Sequence, residues 1–430
     1  MIRSRARVIV VGAGAAGLMA AGRAAELGAA VLLLEKTREA GKKILVSGKT
    51  RCNLTNVAPL EEFLRYYGPN GQFLRNAFHR FFREGLLHLL ARYGVQTQVE
   101  RGGRVFPASG RAAEVRDALL RYAVEHGAEV RYRAEVQRVQ VRKDRVSGVA
   151  LADGTRFAAG AVILATGGAS WPGTGSTGQG YAIAQALGHT IVPLRPALVP
   201  LTVQERSVAR RLQGVSLRNV RCTFWVTRGE GKRRRLRIPY PAPAVGEMLF
   251  THFGVSGPLI LTASLAVVDA LRAGEHVTLA IDLKPGMDEA AVHRRLQREF
   301  EAHPRQRLST LLRGWVPGTL AEVLADLSGI SRERPVHQIR AQERGRIVAL
   351  LKGFQWTISG HLPLAAGMVT AGGVSLREVD PVTLASRLVP GLYVVGELLD
   401  LAADTGGFNL QAAFSTGYLA GEAAARLCAT

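Results

Sequence analysis

The sequence is poor in the residues that build metal and disulfide chemistry. Its 430 residues include three cysteines, Cys52, Cys222 and Cys428, far apart and with no CxxC pair among them. That spacing argues against both a zinc site and a paired redox disulfide, so no metal is expected. No run of about 18 uncharged apolar residues occurs, so no membrane span is expected. The basic start ahead of an apolar stretch has the look of a secretory leader. The glycine spacing inside it gives a better account, no cleavage pattern follows, and a cytoplasmic protein is expected. Internal repeats and a low-complexity tail are also missing.

Acidic residues are in short supply: 34 Asp and Glu face 56 Lys and Arg, a formal net charge of +22. Such a surplus attracts polyanions such as RNA. Yet 48 of those 56 basic residues are Arg, which a GC-rich coding bias also produces. The surplus is uneven. Residues 203–237 hold 11 Lys and Arg against Glu205 and Glu230, and include the run Lys232, Arg233, Arg234, Arg235 and Arg237. The run lies near Phe224 and Trp225 in a strand-like segment. It reads either as a solvated hairpin or as a surface that tracks a phosphate backbone.

What the chain has in plenty is glycine, 48 residues, and apolar residues, 47% of the total. Residues 6–12 (ARVIVVG) read as a buried parallel strand, 14–27 as an Ala-rich helix and 30–35 (AVLLLE) as a second strand, one βαβ unit. Helical stretches near 72–94 and 111–127 precede strand-like segments at 129–142 and 145–151. The Asp153-Gly154 pair marks a hairpin turn, and 159–168 (AGAVILATGG) is another buried strand ending in glycines. Pro193, Pro196 and Pro200 interrupt this texture. Alternating strands follow to about 285 and a polar helical region runs from Asp288 to about Lys352, before the α/β texture returns near 365. The expected layout is α/β: a discontinuous Rossmann-like nucleotide-binding domain (1–190 and 365–430) interrupted by an inserted β-rich domain (191–287 and 353–364) and a helical subdomain (288–352).

Gly12, Gly14 and Gly17 form GxGxxG between strand and helix. The three serve a tight turn, a close backbone approach to a pyrophosphate and close helix–strand packing, while the helix N-terminus offers unpaired N–H groups to the phosphates. Glu35, 18 residues past Gly17, can accept both hydroxyls of an adenosine ribose and disfavours a 2′-phosphate. Ala15, Ala16 and Lys36 complete this set. FAD rather than NAD is read from later segments. Ala165, Thr166, Gly167 and Gly168 end a second buried strand; Gly396 and Glu397, followed by Asp400, end a third. Ligands of such sheets sit beyond the carboxyl ends of the strands. Gly407, Asn409, Leu410 and Gln411 then open the last helix, whose N-terminus can face the flavin and stabilise its reduced, anionic form.

Four segments, 41–56 (GKKILVSGKTRCNLTN), 165–189, 246–258 (GEMLFTHFGVSGP) and 371–421, together resemble the BaiN/RdsA-type bacterial NAD(P)/FAD-dependent oxidoreductases, a family distantly similar to the glutathione-reductase flavin fold. The likeness covers nearly the whole chain; the family often has a glycine where this chain has Lys49. It implies a flavin domain with an inserted β-barrel-like domain and a helical subdomain, and reductase chemistry on an activated C=C bond. The substrates it implies are a uridine of 23S ribosomal RNA, reduced to dihydrouridine, or a bile-acid enone. From the family motif, Ser47, Arg51, Asn53 and Thr55 are expected along the flavin. Cys52 occupies the place of one redox cysteine of disulfide reductases without its partner. It reads as a buried small residue or a proton donor, as cofactor contact or catalytic group. His252 reads as a structural residue or as a substrate-side acid. The Gly-rich stretch 173–180 lacks a P-loop lysine and reads as a lid or flavin-contacting loop. No second GxGxxG unit is visible, so NAD(P)H, if it is the donor, is expected to bind transiently at the flavin face.

The expected activity is therefore FAD-dependent reduction of a C=C bond with NAD(P)H as donor and ribosomal RNA as the leading partner. Two alternatives stand beside it. One is a small-molecule enone reductase or amine oxidase; the other is an RNA-binding flavoprotein with little turnover.

Overall fold

The computed structural model describes residues 7–229, 231–238 and 244–429. The chain divides into two compact units, Met1–Ala197 with Leu364–Thr430, and Leu198–Pro363.

The first unit begins with strand β1 (Val8–Val11), helix α1 (Ala15–Glu26) and strand β2 (Val31–Glu35), followed by a short helix α2 (Lys42–Val46). The helical stretch expected near 72–94 is broken into two helices, Arg75–Arg80 and Arg83–Arg92. The break falls where Phe81 leaves the helical region to stack on Tyr418, at 4.2 Å between ring centroids, and Phe82 turns onto Phe63 at 5.0 Å. Aromatic burial outweighs helical continuity here. Helix α3 (Ala112–Glu125) leads to β3 (Glu129–Tyr132). The strand-like stretch 129–142 is also split. Arg133 takes φ 55°, and Val136–Arg142 pairs with Arg145–Leu151 in a separate antiparallel sheet. At the expected hairpin turn Asp153 Oδ1 accepts from Thr155 N at 2.9 Å and Gly154 has φ 89°. Strand β4 (Ala161–Leu164) and β5 (Ile191–Ala197) follow.

The second unit contains β6 (Leu201–Val203), α4 (Arg206–Arg211), β7 (Ser216–Thr227), β8 (Gly246–Thr251), β9 (Gly254–Ser256), α5 (Pro258–Arg272), β10 (His276–Asp282) and β11 (Phe354–His361). Six of its strands pair antiparallel in the order β7-β8-β9-β6-β11-β10, and β10 pairs back onto β7, which closes the barrel. Closure removes sheet edges. Trp356, Phe250 and Phe354 meet in its core, with centroids 5.1–5.2 Å apart for the two pairs that include Trp356. The basic run contributes only a two-residue strand, Arg234–Arg235, opposite Trp225 and Val226. Helices α6 (Glu289–Ala302), α7 (Gly318–Leu327) and α8 (Ala341–Gly353) lie between β10 and β11, and Asp288 caps α6 by accepting from Ala291 N at 2.6 Å.

The chain then returns to the first unit with β12 (Val369–Val374), β13 (Leu392–Val394) and the terminal helix α9 (Gly406–Ala429). The main sheet is wholly parallel in the order β13-β4-β1-β2-β3, with Val8 opposite both Ala161 and Val31. Val8, Ile9 and Val10 and all of β4 are fully buried. That matches their uninterrupted apolar runs, because helices cover both faces of such a sheet. Full burial of each large aliphatic side chain is worth about 1.5–3 kcal/mol. This is the α/β, Rossmann-like class expected, with additional antiparallel sheets. No helix among the described residues is long and apolar enough to cross a membrane.

Candidate functional site

A cleft opens beyond the carboxyl ends of β1, β2 and β4, where the strand order reverses about β1. It encloses about 1390 Å³ including its open mouth. The three glycines of the fingerprint do different things at its floor. A Cβ on Gly12, which has φ 98°, would stand 2.6 Å from Ala165 O, and one on Gly17 would stand 1.8 Å from Gly12 O. Both positions are filled by the fold itself. A Cβ on Gly14 would meet nothing within 4 Å, so Gly14 borders the open cleft. It precedes α1, which has neither a side-chain cap nor an acid in its first turn. The end of α1 thus keeps free N–H groups and a positive dipole end toward the cleft, where Ala15 and Ala16 also stand.

Glu35 is held at the end of β2 by two backbone donors. Ala13 N reaches Oε2 and Thr37 N reaches Oε1, each at 2.8 Å. A carboxylate has about four acceptor sites, so Glu35 is oriented and still able to accept two hydroxyls. Lys36 Nζ donates to Thr177 Oγ1 at 2.7 Å. That bond pins the Gly-rich stretch, of which Thr174, Gly175, Ser176 and Thr177 form part of the wall. Across the cleft stand Ala165, Thr166 and Gly167. Thr166 Oγ1 is buried with no partner among the described residues, an orphan that a polar ligand would satisfy. A glycine floor open to a pyrophosphate, an oriented acid beside it and an orphan hydroxyl opposite are what a dinucleotide requires, and the residues fit one.

The wall also includes Ser47, Met368, Val369, Gly396 and Glu397, and Gly406, Asn409 and Leu410 from the start of α9. Glu397 anchors a polar knot: Lys43 Nζ lies 2.6 Å from its Oε2, while Ser170 Oγ (3.1 Å) and Thr370 N (2.9 Å) donate to its Oε1. Lys43 Nζ also donates to Ser170 Oγ at 2.8 Å. Lys43, Ser170 and Met368 carry no spacing signal that singles them out. Lys43 and Ser170 do fall inside the segments that carry the family resemblance.

Other expected contacts stand elsewhere. Arg51 pairs with Glu100 at 2.6 Å and lies 4.2 Å over the Phe106 ring, so its charge is engaged outside the residues that line the cleft. Cys52 is fully buried, and burial pushes its thiol up to about 12. It holds its proton at neutral pH. Asn53 and Thr55 are buried and brace α9. In the amide orientation that satisfies both groups, Asn53 Nδ2 donates to Thr55 O and its Oδ1 accepts from Gly407 N, each at 3.2 Å. Asp400 accepts from Asn70 Nδ2, at 2.8 Å through its carbonyl and 3.2 Å through Oδ2. Gly168 packs on Thr370, and buried Gln411 donates to Ser415 Oγ at 3.0 Å. Asn409 lines the cleft, but its amide is spent on Ala403 (3.0 Å) and Thr405 O (2.8 Å), tying the loop before α9. The second-unit candidate, His252, stands exposed at the tip of the β8–β9 hairpin with its ring 4.9 Å from Phe253. Lys49 and Thr50 take φ 57° and 66°, left-handed values that explain why a glycine suits that turn.

Asp404, in the loop tied by Asn409, is buried, and its Oδ1 has no partner among the described residues. Burial pushes its carboxyl up from 3.8 to about 7. As pH rises the unfolded chain gives up this proton first. Asp404 therefore supports the fold fully below pH 3.8, and the support is lost as pH rises to about 7. Asp404→Asn is expected to raise Tm more at pH 8 than at pH 5. At about 1.36 kcal/mol per pH unit the ceiling is on the order of 4 kcal/mol. Parallel Tm–pH curves for variant and parent would refute the assignment.

The description "HI0933-like protein Rossmann domain" fits residues 6–423 of this chain. The chain belongs to that family. It is 35% identical to the 3-dehydro-bile acid delta(4,6)-reductase of Clostridium scindens, over 97% of this chain and 99% of that protein. It is 31% identical to the ribosomal RNA dihydrouridine synthases of Haemophilus influenzae and of Escherichia coli K12, over 95% of this chain and 96% of each. Among solved structures, the 3-ketosteroid-delta4-(5alpha)-dehydrogenase of Rhodococcus jostii RHA1 shares the fold. Its TM-score is 0.51 at 17% identity, with 98% of this chain and 96% of that chain covered. This family member is an oxidoreductase with a flavin-type Rossmann fold.

Proposed function

We propose that the protein is an FAD-dependent reductase that takes electrons from NAD(P)H and reduces a C=C bond conjugated to a carbonyl, the leading substrate being a uridine of 23S ribosomal RNA. The observation that carries this reading is full-length similarity to two kinds of enzyme whose names, a delta(4,6)-reductase and a dihydrouridine synthase, describe one chemistry. Each saturates a carbon–carbon double bond in conjugation with a carbonyl. The net charge of +22 favours the polyanionic substrate over the steroid.

Bound FAD would supply a hydride to the β carbon of the conjugated system. The chain's own residues do the rest. Glu35 accepts the adenosine ribose hydroxyls, and Gly14 with the α1 N-terminus receives the pyrophosphate. Lys43, Glu397 and Ser170 set a fixed charge pattern in the flavin half of the cleft, and the α9 N-terminus presents its positive end there. NAD(P)H would bind only transiently, since no second GxGxxG βαβ unit offers it a domain of its own. Cys52, a buried thiol with its acidity suppressed, is a poor proton donor.

The 35% identity to the bile-acid reductase favours a second reading, reduction of a small enone. One experiment separates the two. Anaerobic protein loaded with FAD is mixed with NADPH or NADH, then with unmodified ribosomal RNA, while flavin absorbance is followed. Bleaching, then RNA-dependent recovery with a gain of about 2 Da on one uridine, one hydride and one proton, is the expected result. Bleaching that only a steroid enone reverses would replace the RNA reading.

A further inference from the structure

The β8–β9 hairpin tip carries two adjacent aromatic side chains. His252 is exposed and Phe253 half-exposed, and their rings meet edge to face at 4.9 Å. Two aromatic rings at a hairpin tip offer π-faces to something outside the barrel. The chain that flanks them is cationic. Val203 N donates to Phe253 O at 3.2 Å, so β6 ends beside the tip. The chain then runs through α4 and returns at Gly214 and Val215, each bonded to Phe250 at 3.0 Å. Helix α4 therefore lies alongside the hairpin and packs on β8 and β9.

Arg206 and Arg210 are exposed on that helix, four residues apart and so on one face. Among the described residues neither has a carboxylate partner. Their neighbour Arg211 does, bonding Asp326 at 2.6 Å. Glu205, the only acid in residues 203–221, turns both carboxylate oxygens onto Thr357 N, at 3.0 and 3.1 Å. Two unpaired guanidinium groups beside two exposed rings combine charge for a backbone with faces for bases. The basic run 232–237 is less free. Arg234 pairs with Glu275, and Arg233 is engaged on the Trp225 ring at 4.9 Å.

We infer that this tip binds a single-stranded segment of RNA, with Phe253 and His252 stacking on unpaired bases and Arg206 and Arg210 contacting the adjoining phosphates. The partner is single-stranded because a ring can stack only on a base freed from its duplex, and a uracil that is to be reduced must be unstacked as well. The inference rests on the RNA reading given above and adds the surface that performs it.

The test uses the full chain loaded with FAD and a fluorescein-labelled 12-mer oligouridylate, alone and annealed to its complement, titrated from low to high salt. The parent should prefer the single strand. Arg206→Gln/Arg210→Gln should lower the magnitude of the log K–log salt slope by about 1.4, at about 0.7 for each phosphate no longer neutralised. His252→Ala/Phe253→Ala should weaken binding about 5- to 100-fold at every salt with the slope unchanged. Phe253→Trp should restore it, which guards against a variant that has merely misfolded. If the parent binds with a steep slope and all three variants match it, the surface is wrong while the RNA reading stands. If the parent shows no salt-dependent binding at all, the surface is refuted, and the uridine mass measurement then decides the RNA reading separately.

Discussion

Gly417→Val is expected to destabilise the first unit by about 3 kcal/mol or more and to strip it of bound flavin. Gly417 and Gly421 lie on the face of α9 that rests on α1. A Cβ at Gly417 would stand 2.2 Å from Ala16 O, and one at Gly421 would stand 2.4 Å from Ala20 O. These neighbours are backbone atoms, so no rotamer change makes room and the helices must part. A glycine inside a helix costs up to about 1 kcal/mol relative to alanine, a cost the chain accepts at two positions on one face to gain this approach. Parting the helices would also move the α1 N-terminus, which borders the cleft. Stability loss and flavin loss should therefore appear together. Gly345, inside α8, is the control: a Cβ there meets nothing within 4 Å, and Gly345→Ala should stabilise by about 0.5–1 kcal/mol. Thermal melts and flavin retention on gel filtration check both variants. A Gly417→Val protein that melts with its parent and stays yellow would show that the helices yield freely.

That interlock marks the limit of what the sequence discloses. The strands β1, β2 and β4 are legible because a parallel strand buried on both faces must be continuously apolar, and Val8–Val11 and Ala161–Leu164 are. The fingerprint glycines are legible because a fixed spacing serves a fixed turn. Residues 129–142 are not: one β-rich run is cut by Arg133 at φ 55° and shared between two sheets, a decision made by tertiary pairing. The motif residues from Arg51 to Thr55 are similarly opaque. The family motif leads one to expect them along the flavin, yet Arg51 finds Glu100 and Asn53 finds Gly407, partners about 50 and 350 residues away that no local pattern announces. Lys43 and Glu397 are likewise 354 residues apart, and only the fold makes them neighbours.

Those two residues carry the second large effect. Lys43→Met should lower the midpoint potential of bound flavin, and Glu397→Gln should raise it. Each shift should correspond to about a tenfold change in the reduction equilibrium or more, about 30 mV for a two-electron couple. The signs follow from charge. A fixed cation in the cleft wall favours added electrons and a fixed anion opposes them, and both side chains are mostly shielded from solvent, with 28% and 17% of their surfaces exposed. Glu397→Ala goes further. It leaves Lys43 without its carboxylate and takes the acceptor from Thr370 N and Ser170 Oγ, a loss of about 3 kcal/mol or more in folding stability when a shielded pair is broken from one side. The double variant Lys43→Met/Glu397→Gln removes both charges, and its potential should return toward that of the parent. A pair that acted only as a structural strut would lower stability in each variant and leave the potentials together, so opposite shifts with near-cancellation are the result that distinguishes electrostatic control from support.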